Sequence, residues 1–165
     1  MMDAKHFLIV GGSSGIGLEI VKTLHEGGNE VYVGSRTNDQ LAELAGVHHL
    51  PLDVTADPLN LEGLPEVLNG IVYCPGTIQL KPFQRLTIDD FVKDLQVNFL
   101  GAVRTIQACL TRLRKSKTGA SVVLFSTVAV KTGMPFHASV AGAKAAVEGL
   151  TRSLAAEFAP RIRFN

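Results

Sequence analysis

A glycine-rich segment near the start of the chain, residues 10–17 with the sequence VGGSSGIG, limits the possible folds more than any other feature. An apolar run precedes it, and apolar residues at helical spacing follow it. A strand, a glycine-rich turn and a helix in this order predict the first βα unit of a dinucleotide-binding fold. Glycine suits such a turn because a Cβ atom would keep the backbone away from a phosphate group. The N-terminus of the following helix offers that phosphate free N–H groups.

The turn supplies the first candidate contacts to a cofactor. Its glycines have the spacing G-x-x-x-G-x-G rather than the common G-x-G-x-x-G, so a plain tight turn between strand and helix remains an alternative. The candidate cofactor-binding residues in the turn are Gly11, Ser13, Ser14, Gly15, Ile16 and Gly17.

Composition is typical of a soluble protein with one domain. The chain has 165 residues, is 46% hydrophobic and carries a net charge of +1. This balance gives no electrostatic reason to expect nucleic acid or an acidic membrane surface as a partner, and no apolar run is long enough for a signal peptide or a membrane span. Cys74 and Cys109 lack metal-ligand spacing. They predict reduced thiols in a cytoplasmic protein without a metal site.

Short β-like runs alternate with helical patterns along the whole chain, which predicts an α/β fold. We expect one domain, residues 1–165, with a Rossmann-type doubly wound parallel sheet and helices on both faces. The predicted strands are Lys5–Val10, Glu30–Ser35, Val47–Leu52, Gly70–Tyr73, Ser121–Phe125 and Arg161–Asn165. The predicted helices are Gly15–Glu26, Asn38–Ala45, a short one within 56–69, one from Thr87 to about Arg114 and one from about Pro135 to Phe158. The chain ends in the sixth strand, where such sheets normally continue, so we expect the C-terminal part of the fold to be missing.

Arg36 stands just after the second predicted strand, where dinucleotide-binding folds distinguish between cofactors. A carboxylate at this point accepts hydrogen bonds from the ribose 2′-OH, whereas an arginine pairs with a 2′-phosphate. No carboxylate follows the strand directly, so the sequence favours NADP over NAD. A solvated surface charge is the alternative for Arg36.

Taken in chain order, these segments resemble the short-chain dehydrogenase/reductase family. The similarity rests on the glycine turn, Arg36, Asp53-Val54, Gly76, Asn98, Ser126 or Thr127, and Lys144. The helical sequence Ala145–Ala155 also resembles that of 3-oxoacyl-carrier-protein-reductase-like members. The resemblance implies hydride transfer between a nicotinamide cofactor and a small-molecule carbonyl or alcohol, by a homodimer or homotetramer that associates through its two long helices.

The resemblance also implies residue roles. Asp53 would accept from the adenine amino group, although a turn-forming role is equally open, and the backbone at Gly76 would lie against the cofactor. Asn98 would hold a water that relays protons to Lys144, which also bonds the nicotinamide ribose. Either Ser126 or Thr127 would polarise the carbonyl.

One position departs from the family pattern in a way that affects the chemistry. The family has tyrosine four residues before its lysine, where i, i+4 spacing lets the ammonium lower the phenol pKa. Here that position is Val140, which cannot transfer a proton. His137 is a candidate substitute acid because a histidine pKa lies near neutrality, and an ordinary loop histidine is the alternative. A non-catalytic dinucleotide-binding or oligomerising protein is therefore the rival to the oxidoreductase.

Overall fold

Six parallel strands form one sheet at the centre of the chain. The structure, a computed structural model, describes residues 4–38, 40–41 and 44–165. The strands are β1 His6–Val10, β2 Glu30–Ser35, β3 Val47–Pro51, β4 Gly70–Tyr73, β5 Ala120–Leu124 and β6 Ile162–Phe164. Their order in the sheet is β3-β2-β1-β4-β5-β6. The chain therefore runs outward from β1 to β3 and then returns to the other side of β1, which opens a crevice at the carboxyl ends of β1 and β4.

Helices cover both faces of the sheet, as doubly wound parallel sheets require. They are α1 Gly15–Glu26, α2 Ile88–Leu95, α3 Gly101–Arg114, α4 Ala129–Thr132 and α5 Ala138–Phe158. A π turn, Gln96–Leu100, joins α2 to α3, and a 3₁₀ turn spans Phe83–Arg85. Thr87 caps α2 by accepting from the backbone N–H of Asp90, whose carboxylate accepts from the N–H of Thr87 in return.

Two apolar clusters lie on opposite faces of the sheet. The larger includes Ile71, Val122 and Ile162 from the strands, packed with Ile106 and Leu113 of α3. The smaller lies under α1. Cys109 belongs to the larger cluster, and Cys74 packs against the smaller one. Both are free thiols.

The predicted fold class is confirmed, and most elements end within a few residues of their predicted limits. The short helix predicted within 56–69 is wrong, because this segment forms turns around its prolines. The helix predicted over Asn38–Ala45 falls partly on residues 39, 42 and 43, which lie outside the described residues. Its described part forms turns. The short helix α4 and the π turn were not predicted.

In the part of the chain that the structure describes, no helix is both long enough and apolar enough to cross a membrane. Across those same residues, no group of three or more His, Cys, Asp and Glu side chains has an arrangement that could hold a metal ion.

Candidate nucleotide and active site

A cleft of about 520 Å³ opens at the carboxyl ends of β1 to β4, at the point where the strand order reverses. Its walls include Gly11 and Ser13 of the glycine-rich turn, Arg36 after β2, and Asp53 and Val54 after β3, with Gly76 after β4. Parallel strands place these four loops at one edge of the sheet, so residues far apart in sequence meet there. The side formed by the glycine turn and Arg36 is called the nucleotide end below. The side at Gly76, with Asn98 and Lys144 next to this glycine, is called the reaction end.

The glycine turn has a backbone geometry that side chains would disrupt. Gly11 has φ of +75°, a conformation that residues with a Cβ adopt rarely. A Cβ atom at Gly17 would overlap the backbone of Gly11, so the first turn of α1 packs directly against the end of β1. Ser14 is the N-cap of α1, and its side chain forms no capping bond, while both Gly15 and Ile16 are exposed. The first N–H groups of this helix therefore receive no side-chain cap from Ser14.

Arg36 lies at the rim of the cleft with an exposed side chain. Across the described ranges, no hydrogen bond or ion pair holds its guanidinium. Its charge nevertheless contributes to lowering the pKa of Asp53, on the neighbouring loop. The larger causes of that lowered pKa are the backbone N–H and the hydroxyl of Thr55, which both donate to Asp53 Oδ1, at 2.9 and 2.7 Å. Asp53 thus forms a turn with one oxygen and still lines the cleft.

Gly76, Asn98 and Lys144 come together at the reaction end. A Cβ atom at Gly76 would lie 3.1 Å from Asn98 Oδ1 and 3.8 Å from Lys144 Nζ. The side-chain amide and the ammonium therefore lie beside the same stretch of backbone, although they come from the π turn and from α5. Glycine at 76 lets the Asn98 oxygen approach this backbone closely, because a Cβ atom there would be crowded against it.

Asn98 is fixed by its nitrogen and leaves its oxygen without a partner. Its Nδ2 donates to the backbone carbonyls of Thr77 and Asp94, each at 2.9 Å. Its Oδ1 is buried and has no hydrogen-bond partner in the described part of the chain. Buried polar atoms almost always have one, so an unpartnered oxygen facing Gly76 indicates a place for a donor from water or a ligand.

Lys144 is half-buried near Cys74. Burial lowers the pKa of the lysine, and the nearby thiol opposes that effect. Burial also raises the pKa of Cys74 to about 11, so the thiol is neutral at physiological pH. Within the described residues the ammonium of Lys144 forms no ion pair. A desolvated cation without a carboxylate is suited to an acceptor that the chain itself does not provide.

The comparisons with known proteins agree with this architecture. The family model described as short chain dehydrogenase matches residues 5–165. The chain belongs to the short-chain dehydrogenase family. Among its relatives, the hydroxynaphthalene reductase arp2 of Aspergillus fumigatus is 29% identical over 172 residues, which cover 95% of this chain and 62% of that reductase. The chain therefore spans less than two thirds of the length of this relative.

Solved structures of similar fold cover nearly the whole chain. The ligand-free aldohexose dehydrogenase of Thermoplasma acidophilum aligns with a TM-score of 0.89 at 22% identity, over 98% of this chain and 64% of that chain. A protein of Shigella flexneri 2a described as a short chain dehydrogenase, solved as a complex with NADP, aligns with a TM-score of 0.85 at 22% identity, over 98% of this chain and 74% of that chain. At these identities the two structures establish the fold alone.

No tyrosine takes the place of the phenol that the short-chain dehydrogenase pattern requires before Lys144. Val140 is buried in α5, and the chain has only two tyrosines. Tyr73 is buried and donates to the Val97 carbonyl at 2.6 Å, and burial raises the pKa of its phenol. Tyr32 stacks on His48, with ring centroids 4.6 Å apart. Neither phenol is available to the reaction end.

The remaining predicted side chains differ in how they are held. Ser126 donates to Glu148 Oε1 at 2.7 Å, which lowers the pKa of that carboxyl group. Thr127 Oγ1 accepts weakly from the backbone N–H of Ala129, at 3.3 Å, so its own proton remains free to donate. His137 is the N-cap residue of α5, and its Nδ1 contacts the Pro135 carbonyl at 2.7 Å. A local contact of this kind is what an ordinary loop histidine makes.

Sequence reasoning missed a buried carboxylate next to Asn98. Asp94 is fully buried in α2, and it accepts from Thr77 Oγ1 and from Ser139 Oγ, both at 2.7 Å. The sequence contains a signal for this carboxylate, because Asp94 stands one helical turn before Asn98 and shares its buried face. An acidic residue at such a position indicates a polar network in the interior.

Proposed function

We propose that the chain is the cofactor-binding part of an NADP(H)-dependent oxidoreductase that acts on a small-molecule carbonyl or alcohol. The observation that supports this most directly is that one edge of the sheet carries both the nucleotide end and the reaction end. A dinucleotide has phosphates at its centre and a nicotinamide at one extremity, so it needs both kinds of surface along one crevice.

The residues present fit such a cofactor. The close packing at Gly11 and Gly17 fixes a turn whose backbone can lie against a pyrophosphate, Arg36 has a guanidinium without a partner among the described residues for a 2′-phosphate, and Asp53 has Oδ2 outside its bonds to Thr55 for the adenine amino group. At the reaction end, Gly76 lines the cleft, and the unpartnered oxygen of Asn98 beside it suits a polar ligand. When bound, the nicotinamide supplies or accepts the hydride.

The residues at the reaction end have separate tasks in this proposal. Lys144 donates hydrogen bonds from its ammonium group to the nicotinamide ribose, because it has no carboxylate partner within the described residues. Thr127, rather than Ser126, donates to the substrate oxygen, since Ser126 is engaged by Glu148. Asn98 Oδ1 holds a water near Lys144.

Protection against thermal unfolding tests the cofactor assignment, because a ligand that binds only the folded state raises Tm. We expect NADPH to raise the Tm of the parent more than NADH at equal concentration. Arg36→Met should weaken NADPH binding about 10- to 100-fold, because a charge-assisted hydrogen bond contributes about 1.5–3 kcal/mol, and should leave NADH unchanged. Arg161→Met, at an exposed position before β6, is the matched control. Equal protection by both nucleotides would overturn the NADP assignment.

Val140 supports a second candidate, an NADP(H)-binding protein without turnover. No proton donor occupies that position, and both tyrosines lie elsewhere. Losing a general acid lowers a rate by about 10²–10⁴. Steady-state oxidation of NADPH with a panel of ketones separates the candidates: turnover by the parent supports the oxidoreductase. Turnover only in Val140→Tyr supports the binding protein.

If the parent turns over, loss of activity in His137→Ala would assign the acid to His137, and unchanged activity would exclude it.

We also propose that the chain forms a homodimer or homotetramer through its two long helical segments, Ile88–Arg114 and Ala138–Phe158. A monomer in light scattering at micromolar concentration would contradict this assembly.

A further inference from the structure

A buried carboxylate with no cationic partner among the described residues lies next to the reaction end, against Thr77. Asp94 is fully buried, and none of the ion pairs formed by the described residues includes it. The nearby lysine, Lys81, pairs instead with Asp90, at 2.8 Å. A carboxylate that is removed from water without a countercharge destabilises the fold unless hydrogen bonds replace its hydration.

Two hydroxyl groups supply those hydrogen bonds, and they come from two other segments. Thr77 follows Gly76 in the loop after β4, and Ser139 lies in the first turn of α5, next to Val140. Each donates to a different oxygen of Asp94 at 2.7 Å. One carboxylate thus joins the loop that carries Gly76 to the helix that carries Lys144.

The same residues also determine the orientation of Asn98. Its Nδ2 is within 2.9 Å of the carbonyls of Thr77 and Asp94, and within 3.2 Å of Thr77 Oγ1. The Thr77 hydroxyl therefore accepts from Asn98 and donates to Asp94. With the nitrogen held by these acceptors, the amide has only one orientation left, with Oδ1 beside Gly76.

We propose that Asp94 is a positioning residue: through Thr77 and Ser139 it holds the Gly76 loop, the Asn98 turn and the Lys144 helix in one arrangement that presents Asn98 Oδ1 and Lys144 Nζ to the nicotinamide half of the cofactor. The inference rests on the proposed function, since it concerns the same cleft. The proposal adds that the reaction end depends on Asp94, whereas the glycine turn and Arg36 do not. Loss of Asp94 should affect the nicotinamide half of the ligand and spare the adenine half.

Two nucleotides separate these halves experimentally. Adenosine 2′,5′-bisphosphate carries only the adenine half with the 2′-phosphate, whereas NADPH carries both. Asp94→Leu should weaken NADPH binding about tenfold, through the loss of hydrogen-bond acceptors, and leave the bisphosphate within about twofold. Asp94→Asn should keep NADPH within about threefold, because its amide can accept from Thr77 and donate to Ser139. Ser139 can then donate to the Asp90 carbonyl, 3.2 Å away. Asp89→Leu, exposed on the same helix, is the control.

A merely structural role for Asp94 gives a different result, because a loosened fold weakens the binding of both nucleotides to the same extent. If Asp94→Leu lowers the affinity for NADPH and for the bisphosphate equally, or leaves the NADPH affinity unchanged, the proposal is overturned. If that variant does not fold, Thr77→Val and Ser139→Ala decide, since each removes one donor. Both should weaken NADPH more than the bisphosphate, and an equal effect in both would overturn the proposal.

A readout without nucleotide keeps this inference separate from the proposed function. Hydrogen exchange of the Asn98 side-chain amide should be slow in the parent and in Asp94→Asn, and at least about tenfold faster in Asp94→Leu. If the parent binds neither nucleotide, the proposed function fails, and this exchange rate still tests the positioning. An exchange rate that is the same in all three proteins would overturn the positioning role.

Discussion

The nucleotide end and the reaction end of the cleft differ in what they are made of. The nucleotide end is mainly backbone: the positive φ of Gly11 and the close approach of Gly17 shape it, and Arg36 adds one charge. The reaction end combines the backbone at Gly76 with two side chains from other segments, the amide of Asn98 and the ammonium of Lys144, and it holds no phenol. A backbone turn is kept or lost as a whole, whereas chemistry depends on single side chains. Binding and reaction can therefore be altered independently in this fold.

The largest expected effect comes from disrupting the backbone of the nucleotide end. Gly17→Ala places a Cβ against the backbone of Gly11, so the turn must open. We expect NADPH and adenosine 2′,5′-bisphosphate to bind about 100-fold more weakly, because several phosphate contacts are lost together. Gly142→Ala, at a helical glycine with open space around it, is the matched control and should bind both normally. Isothermal titration with both ligands is the measurement, and a normal affinity in Gly17→Ala would contradict the account of the turn.

Removing the ammonium should affect the reaction end alone. Lys144→Met is expected to weaken NADPH about tenfold and to leave the bisphosphate unchanged. It should also raise Tm at pH 7. Burial lowers the pKa of Lys144, so folding disfavours its charged form at neutral pH, and this penalty disappears only as the pH rises past the ordinary lysine range.

Lys93→Met, exposed on α2, is the control for Lys144→Met and should change neither property. Calorimetric scans and titrations measure both properties. A lower Tm together with unchanged NADPH affinity would show that Lys144 is a structural residue.

The choice between the two hydroxyls after β5 affects turnover rather than binding, and it is measurable wherever turnover is found, in the parent or in Val140→Tyr. Thr127→Val should lower kcat about 10- to 100-fold, because it removes a donor to the developing charge on the substrate oxygen. Ser126→Ala should change kcat by about twofold or less, since its hydroxyl is engaged by Glu148. The reverse order of effects would assign the donor to Ser126.

The smallest effect concerns the surface contact that holds the loop of the reaction end. Lys81 lowers the pKa of Asp90 to about 2 from 3.8, mainly by hydrogen bonding. A carboxyl group with a lowered pKa stabilises the folded chain above its ordinary pKa and loses that contribution as the pH falls towards the lowered value. Lys81→Met should therefore reduce the urea midpoint slightly at pH 7, and this difference should shrink as the pH falls from about 4 through about 2. A difference that persists undiminished near pH 2 would contradict this assignment.

Sequence reasoning was effective where the signal is local. The glycine turn, the alternating pattern and the positions of Arg36 and Lys144 predict the sheet, its crevice and the nucleotide end. Sequence reasoning failed where the position of a side chain is set by a contact between distant segments. Nothing near Asp94 in sequence indicates that Thr77 and Ser139 meet it, and neither Ser126 nor Thr127 can be chosen without seeing Glu148. The short helix predicted within the proline-containing segment 56–69 is absent, and the segment forms turns and bends instead.

The most direct test of the account asks whether the two ends serve one ligand. Competitive titration of the parent with NADPH and with adenosine 2′,5′-bisphosphate gives the contribution of each end. If Asn98 and Lys144 contact the nicotinamide half, NADPH binds at least about tenfold more tightly than the bisphosphate and displaces it. Equal affinity for the two nucleotides would contradict the account, because it would mean that the reaction end contributes nothing to the bound cofactor.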